Sequence, residues 1–322
     1  MKAIFITTSQ CKEGSGGGIV SLHEAKALEQ FCDETTVIDF DVIKKRPELE
    51  YRTPFTLDYL VSLEISEKYD LVHFNGNPWR QTLKTLRYFN LDIKVVSSVP
   101  AHNLQRSIME HKKLGIPHER LYPHLHKPEL WKKYIEHINQ SDLVIAPSNM
   151  SKNWFYDLPY INQELKVEII PHGVDIPEKI PSLPEKFTPA YFGVDGVDKG
   201  THLLPDSVKK FGKAFDNEYD NLYDLMSKIS VGVFPSITEA FNICCLETMA
   251  YGRPVIVSGG AGISEYINTL SFPTFTDIEK MLEFLKTPNI VQSLGKECRE
   301  IAKNFSWDKI EKQYVRTYES IT

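Results

Sequence analysis

A chain of 322 residues, 42% hydrophobic and 25% charged, is long for one α/β core and ordinary in composition. Two domains are therefore expected, and disorder, collagen and coiled coil are excluded. The net charge of -6 argues against a surface built to cover a phosphate backbone, so no nucleic-acid partner is expected. The five cysteines (Cys11, Cys32, Cys244, Cys245 and Cys298) form no Cys-x-x-Cys pair and no disulfide spacing. The N-terminus turns polar at Thr7, and no run of about 18 apolar residues occurs, so the expected setting is cytoplasmic, with peripheral membrane binding left open.

In chain order, strands are expected at Lys2–Thr8, Thr35–Phe40, Leu71–Phe74, Ile93–Ser97, Leu143–Ala146 and Val167–Ile170. Amphipathic helical stretches lie between them, at Ser21–Gln30, Leu57–Lys68 and Glu129–Asn139. Apolar strands alternating with helices imply a parallel, doubly wound sheet. Ligands bind such sheets beyond the carboxyl ends of the strands. Pro171, Pro177, Pro181, Pro184 and Pro189 then disfavour a continuous helix and mark a linker. The alternation resumes with strands at Ala190–Val194, Val231–Phe234 and Pro254–Val257 and helices at Leu222–Lys228 and Ile243–Tyr251. From Trp307 to Ser320 a final helix carries Ile310, Tyr314 and Tyr318 at four-residue spacing, an apolar stripe that needs a surface to cover.

The stretch from Phe234 to Ile267 bears most directly on chemistry. Pro235-Ser236 ends a buried strand, Glu239 lies in the following loop, and Glu247 falls one to two turns into the next helix, which Gly252 and Pro254 stop. The loop presents the first free N–H groups of a helix, a seat for an anionic phosphate. Ionised Glu239 and Glu247 only accept hydrogen bonds; they repel phosphate and suit the diols of a sugar or ribose. Spacing alone is weak support, since a glutamate pair eight apart also arises by chance and Glu247 is equally readable as a solvated helix residue.

The whole frame is more specific. Pro235-Ser236-x-x-Glu239, Leu246-Glu247-x-Met249-Ala250-x-Gly252-x-Pro254-Val255-Ile256 and Gly262-x-x-Glu265 resemble the donor-binding signature of family 4 retaining glycosyltransferases of GT-B fold. Gly16-Gly17-Gly18, Tyr69–His73, Ser141–Ser148, Pro171-His172-Gly173-Val174-Asp175, Lys199-Gly200 and Trp307-Asp308 follow in the order that family shows. The resemblance implies two Rossmann-like doubly wound domains facing a central cleft. Residues 1–170 would form an acceptor-side domain and 171–305 a short donor-binding domain, with 306–322 a helix crossing back to the first.

The resemblance also implies roles. Glu239 would hold hydroxyls of the transferred sugar and Glu247 the ribose. The backbone of Ala240, Phe241, Asn242 and Ile243 would cradle the diphosphate, with Gly16, Gly17 and Gly18 bringing a second helix start to the same phosphates. Lys199 would neutralise charge on the leaving diphosphate, and His102 would contact the sugar near the reacting carbon. The family reading is front-face attack without a covalent enzyme nucleophile, with no metal and no cofactor beyond the nucleotide-sugar co-substrate. The implied partners are that donor and a glycan or lipid-linked acceptor; the oligomeric state is left open.

Three departures stand out. Where the family carries arginine before its Lys-Gly pair, this chain has Val194, with Asp195 and Asp198 nearby and Arg253 placed too far off to substitute. Only 34 residues (234 minus 200) lead from Gly200 to Phe234, a region that usually helps form the base pocket. Ala240 and Asn242 replace the usual glycines, and Asn242 adds bulk near the sugar. A catalytically weak GT-B protein acting as a sugar-binding or partner subunit is therefore the alternative expectation, and an epimerase or phosphorylase of the same fold a third. Residues 101–140 hold six of the ten histidines and seven Lys/Arg against four Glu. His124-x-His126 lacks a nearby Cys partner for zinc, so an acceptor-side or lipid-headgroup surface, or a solvated helical face, is expected there.

Overall fold

The computed structural model of the chain describes residues 1–7, 9–12, 16–39, 41–42, 65, 67–76, 92–99, 135–136, 138–158, 160–212, 214–215, 217, 219–267, 271–272 and 278–322. The six histidines of residues 101–140, His102 among them, lie outside the described residues, as do most of the expected helices at 57–68 and 129–139. The described residues up to Pro171, with Ile310–Thr322, form one compact unit, and His172–Lys309 form another.

The first unit holds a parallel sheet of β1 (Lys2–Thr7), β2 (Glu34–Ile38), β3 (Leu71–Asn75), β4 (Lys94–Ser98), β5 (Leu143–Ala146) and β6 (Val167–Ile169), ordered β2-β1-β3-β4-β5-β6. Strands β3 and β5 are wholly buried, and β5 is the continuous apolar run that a strand covered on both faces favours. Strand order reverses between β1 and β3, and helix α1 (Gly16–Phe31) follows β1. It starts five residues before the expected Ser21 (21 minus 16), so Gly16, Gly17 and Gly18 form its first turn instead of a loop ahead of it. First-turn N–H groups have no intrahelical acceptor, so glycine costs little regularity there. Helix α2 (Asn149–Tyr156) opens on a Ser148–Ser151 capping box.

The second unit holds β7 (Pro189–Phe192), β8 (Lys209–Phe211), β9 (Val231–Phe234), β10 (Val255–Ser258) and β11 (Ser271–Phe272), all parallel and ordered β11-β10-β9-β7-β8. Its helices are α3 (Leu222–Lys228), α4 (Ile243–Ala250), α5 (Ile278–Phe284) and α6 (Pro288–Ala302). The proline-rich segment after His172 is held down: Arg253 donates to the carbonyls of Pro181 and Ser182 and to those of Met226 and Ile229, at 2.8–3.1 Å. Arg299 donates to Pro177 O at 2.6 Å. The ring of Trp307 lies where a Cβ on Gly173 would sit, 2.3 Å from that position.

Helix α7 (Trp307–Glu319) continues into the first unit from Ile310. Its stripe is buried, with Ile310, Tyr314 and Tyr318 at 0–2% exposure. Tyr314 donates to Glu24 Oε1 at 2.8 Å, and Tyr318 shares a hydrogen bond with His73 Nδ1 at 2.8 Å. His23 and Gln30 both reach Glu311 at 2.7 Å. Among the described residues, no helix is long and apolar enough to cross a membrane.

Candidate functional site

In the second sheet the strand order reverses between β7 and β9: the chain runs from β7 outward to β8, and from β9 outward through β10 to β11. Loops leaving the carboxyl ends of two such strands diverge and open a crevice, where ligands bind. Lys199 follows β7 and Glu239 follows β9.

Backbone bonds fix both loops. Asp198 O accepts from Ile237 N–H at 2.7 Å and Thr238 N–H at 3.3 Å. Gly200 has φ +66°, and a Cβ there would stand 2.1 Å from Pro235 O, so only glycine lets the loops meet. Glu239 N–H donates to Gly260 O at 2.9 Å, and Gly262 N–H to Glu239 O at 3.0 Å. The backbone of Glu239 is thereby clamped on both sides.

The side chains converge on the Glu239 carboxylate. Lys199 forms an ion pair with Oε1, the two side chains being 25% and 17% exposed. Ser236 Oγ donates to Oε2 at 2.6 Å and Asn242 Nδ2 to the same oxygen at 2.8 Å. Burial pulls the Lys199 pKa down, but Glu239, with smaller contributions from Asp198 and Cys244, raises it on balance. The ammonium stays charged.

Helix α4 begins beside this cluster. Asn242 is its cap, at φ +96°, and its side chain accepts from Cys245 N–H at 2.8 Å. Helix geometry leaves the N–H groups of Ile243 and Cys244 without intrahelical acceptors, at the positive end of the helix dipole. Phe241 is buried and meets the His172 ring edge-on at 5.4 Å. His172 is also buried, with Nδ1 unpartnered. Burial pushes its pKa down to about 4 against the pull of Glu239, so the ring is neutral at pH 7. Glu247 is half-buried in α4, pushed up to about 7 by burial and then by Asp175. Burial also raises the Cys244 thiol, which makes it a poor nucleophile.

Lys199, Glu239 and Asn242 thus touch directly. Ala240, Phe241 and Ile243 share their loop, and Glu247 lies farther along α4. Gly16–Gly18 belong to the first unit, at its own β1/β3 reversal. His102 lies outside the described residues. Val194 is 72% exposed, while Arg253 is occupied by backbone carbonyls. Two groups at the site were given no role by the sequence reading: His172 and Ser236, each quoted there within a motif. Among the described residues, no cluster of His, Cys, Asp or Glu is placed to hold a metal ion.

Residues 19–178 match the profile of Glycosyltransferase Family 4, and residues 197–285 that of Glycosyl transferases group 1. An uncharacterized glycosyltransferase of Methanocaldococcus jannaschii is 31% identical over 111 residues, which is 32% of this chain and 32% of that protein. The matches to curated relatives span about a third of those relatives' length. HepE of Anabaena, solved with UDP and glucose, superposes with a TM-score of 0.72 at 17% identity, covering 99% of this chain and 100% of that one. Sucrose-phosphate synthase of Thermosynechococcus elongatus gives 0.74 at 15%, covering 100% and 99%. At such identities the likeness speaks to fold.

Proposed function

This chain belongs to the family 4 glycosyltransferases of GT-B fold, and we propose that it moves a sugar from a nucleotide-diphosphate donor to a glycan, lipid-linked or small-molecule acceptor, with retention of configuration. The observation that carries the reading is the Lys199–Glu239 pair set against the open start of α4 at the β7/β9 reversal. Amide donors and a cation suit a diphosphate, and a carboxylate suits sugar hydroxyls.

In this reading the backbone of Ala240, Phe241, Asn242 and Ile243 holds the diphosphate. Glu239 holds the sugar and Glu247 the ribose. Lys199, still paired with Glu239 Oε1, offers its remaining N–H donors to the phosphates as charge grows there. The bond from the anomeric carbon to phosphate oxygen breaks, the acceptor oxygen bonds to that carbon on the same face, and its proton passes to the departing phosphate. A preorganised donor at such a place is worth roughly 3 kcal/mol in the transition state. No metal or cofactor takes part. The protein acts in the cytoplasm, and the basic charge of residues 101–140 supports an acceptor or anionic-lipid surface at the inner membrane face.

Purified chain assayed with UDP-, GDP- and ADP-sugars tests this. UDP-glucose comes first, because HepE was solved with UDP and glucose. Glu239→Ala and Lys199→Ala should each lower kcat by about 10²–10³-fold; wild-type turnover in both would overturn the assignments. Val194, exposed where the family carries arginine, favours a second reading, a catalytically weak sugar-binding or partner subunit. Turnover by the purified chain alone removes that option.

A further inference from the structure

The backbone of Asn242, at φ +96°, is one that favours glycine, yet a side chain stands there and both ends of its amide are engaged. Oδ1 accepts from Cys245 N–H in the first turn of α4 at 2.8 Å. Nδ2 donates to Glu239 Oε2 at 2.8 Å and lies 3.4 Å from Ser236 Oγ. The residue is 5% exposed. One planar group thus couples the helix start to the carboxylate.

Counting acceptor directions gives this a chemical consequence. A carboxylate offers about four, two on each oxygen. Ser236 and Asn242 fill both on Oε2, and Lys199 fills one on Oε1. A single direction is left, on Oε1. With glycine at 242, Oε2 would keep a second direction and the carboxylate would be held by fewer bonds.

We propose that Asn242 is a positioning residue that restricts Glu239 to a single sugar hydroxyl, accepted at Oε1, and so narrows which sugars the site holds. This rests on Glu239 being the sugar-holding group. The orientation is fixed before any sugar arrives, so the hydroxyl meets an acceptor that does not reorganise.

Two measurements on the full chain test the proposal. The first needs no ligand: in protein labelled with ¹⁵N-asparagine, the Asn242 side-chain protons, identified by their loss in Asn242→Gly, should exchange slowly with water, and quickly once Glu239→Ala removes their acceptor. Exchange in the wild type as fast as at exposed asparagines overturns the proposal. The second is calorimetry with UDP, GDP and ADP against UDP-glucose, UDP-galactose, GDP-mannose and ADP-glucose. Asn242→Gly fits the backbone, and Ser236→Ala frees the same oxygen without touching the helix cap.

Ser236→Ala, which leaves the α4 cap intact, should bind bare nucleotide within about twofold of wild type, and the sugar contribution of each variant is read against its own bare-nucleotide affinity. The affinity that the sugar adds should shrink by about tenfold, the worth of one hydrogen bond to a charged group. An unchanged sugar contribution, or a loss confined to bare nucleotide, overturns the proposal. If the wild type binds no nucleotide or nucleotide sugar, the functional reading fails and the single-hydroxyl role falls with it, while the exchange rates still show whether Asn242 clamps Glu239.

Discussion

Glu247 is held near the point of protonation by burial and then by the charge of Asp175, which together push it up to about 7. An ionised carboxylate accepts both ribose hydroxyls, whereas a protonated one spends an oxygen as a donor. Affinity for UDP should therefore rise from pH 6 to pH 8 as the empty site loses its proton, with proton release on binding. Glu247→Gln should bind more weakly and flatten the profile, and calorimetry in buffers of different ionisation enthalpy reads both effects. Glu239, Glu247 and Lys199 entered the sequence reading through the family 4 frame, since the spacing of the two glutamates alone is weak support. The left-handed backbone of Asn242 and the unpartnered Nδ1 of His172 were not legible there. Both depend on how the chain closes around them, and an asparagine or histidine letter carries no dihedral angle and no burial.

At the scale of elements, the polar underside of α7 is as informative as its apolar stripe. Tyr314 and Asn75 donate to Glu24, and His73 bridges Tyr318 and Ser98. Burial pushes Glu24 up to about 7 against the hydrogen bonds from Asn75, Ser98 and Tyr314. Its folded value thus lies above its unfolded one near 4.5, so the folded chain holds this proton more tightly between those limits. The resulting stability is full below about pH 4.5 and is lost as the pH rises through 7. Burial also depresses His73 to about 3, a contribution of opposite sign that wild type and a Glu24 variant share. Wild type should accordingly lose stability relative to Glu24→Gln as the pH goes from 5 to 8, measured by thermal unfolding at both. A gap constant with pH would mean that the carboxyl is already ionised in the folded chain above pH 5, its pKa not raised by burial. Tyrosines at four-residue spacing revealed the stripe, but not that the Tyr314 hydroxyl ends on a carboxylate 290 residues away.

Over the whole molecule, the parallel sheets were legible because strands buried on both faces spell continuous apolar runs, as in Val231–Phe234 and Leu143–Ala146. What escaped lies at the margins. Strands β8 and β11 are short edge strands, Lys209–Phe211 and Ser271–Phe272, and an edge strand with a charged sequence gives little periodic signal. Helix α6 was missed although Thr287-Pro288 marks its start. The central claim is that the loop from Glu239 to Ile243, with Lys199, grips the diphosphate of a nucleotide sugar. Thermal unfolding of the intact chain against UDP-, GDP- and ADP-sugars tests it most directly, since a ligand at 100 times its Kd adds about 2.7 kcal/mol of stability. The account predicts an upward shift with at least one donor, and its loss in Lys199→Ala. Flat curves for every donor, or the same shift in that variant, would contradict it.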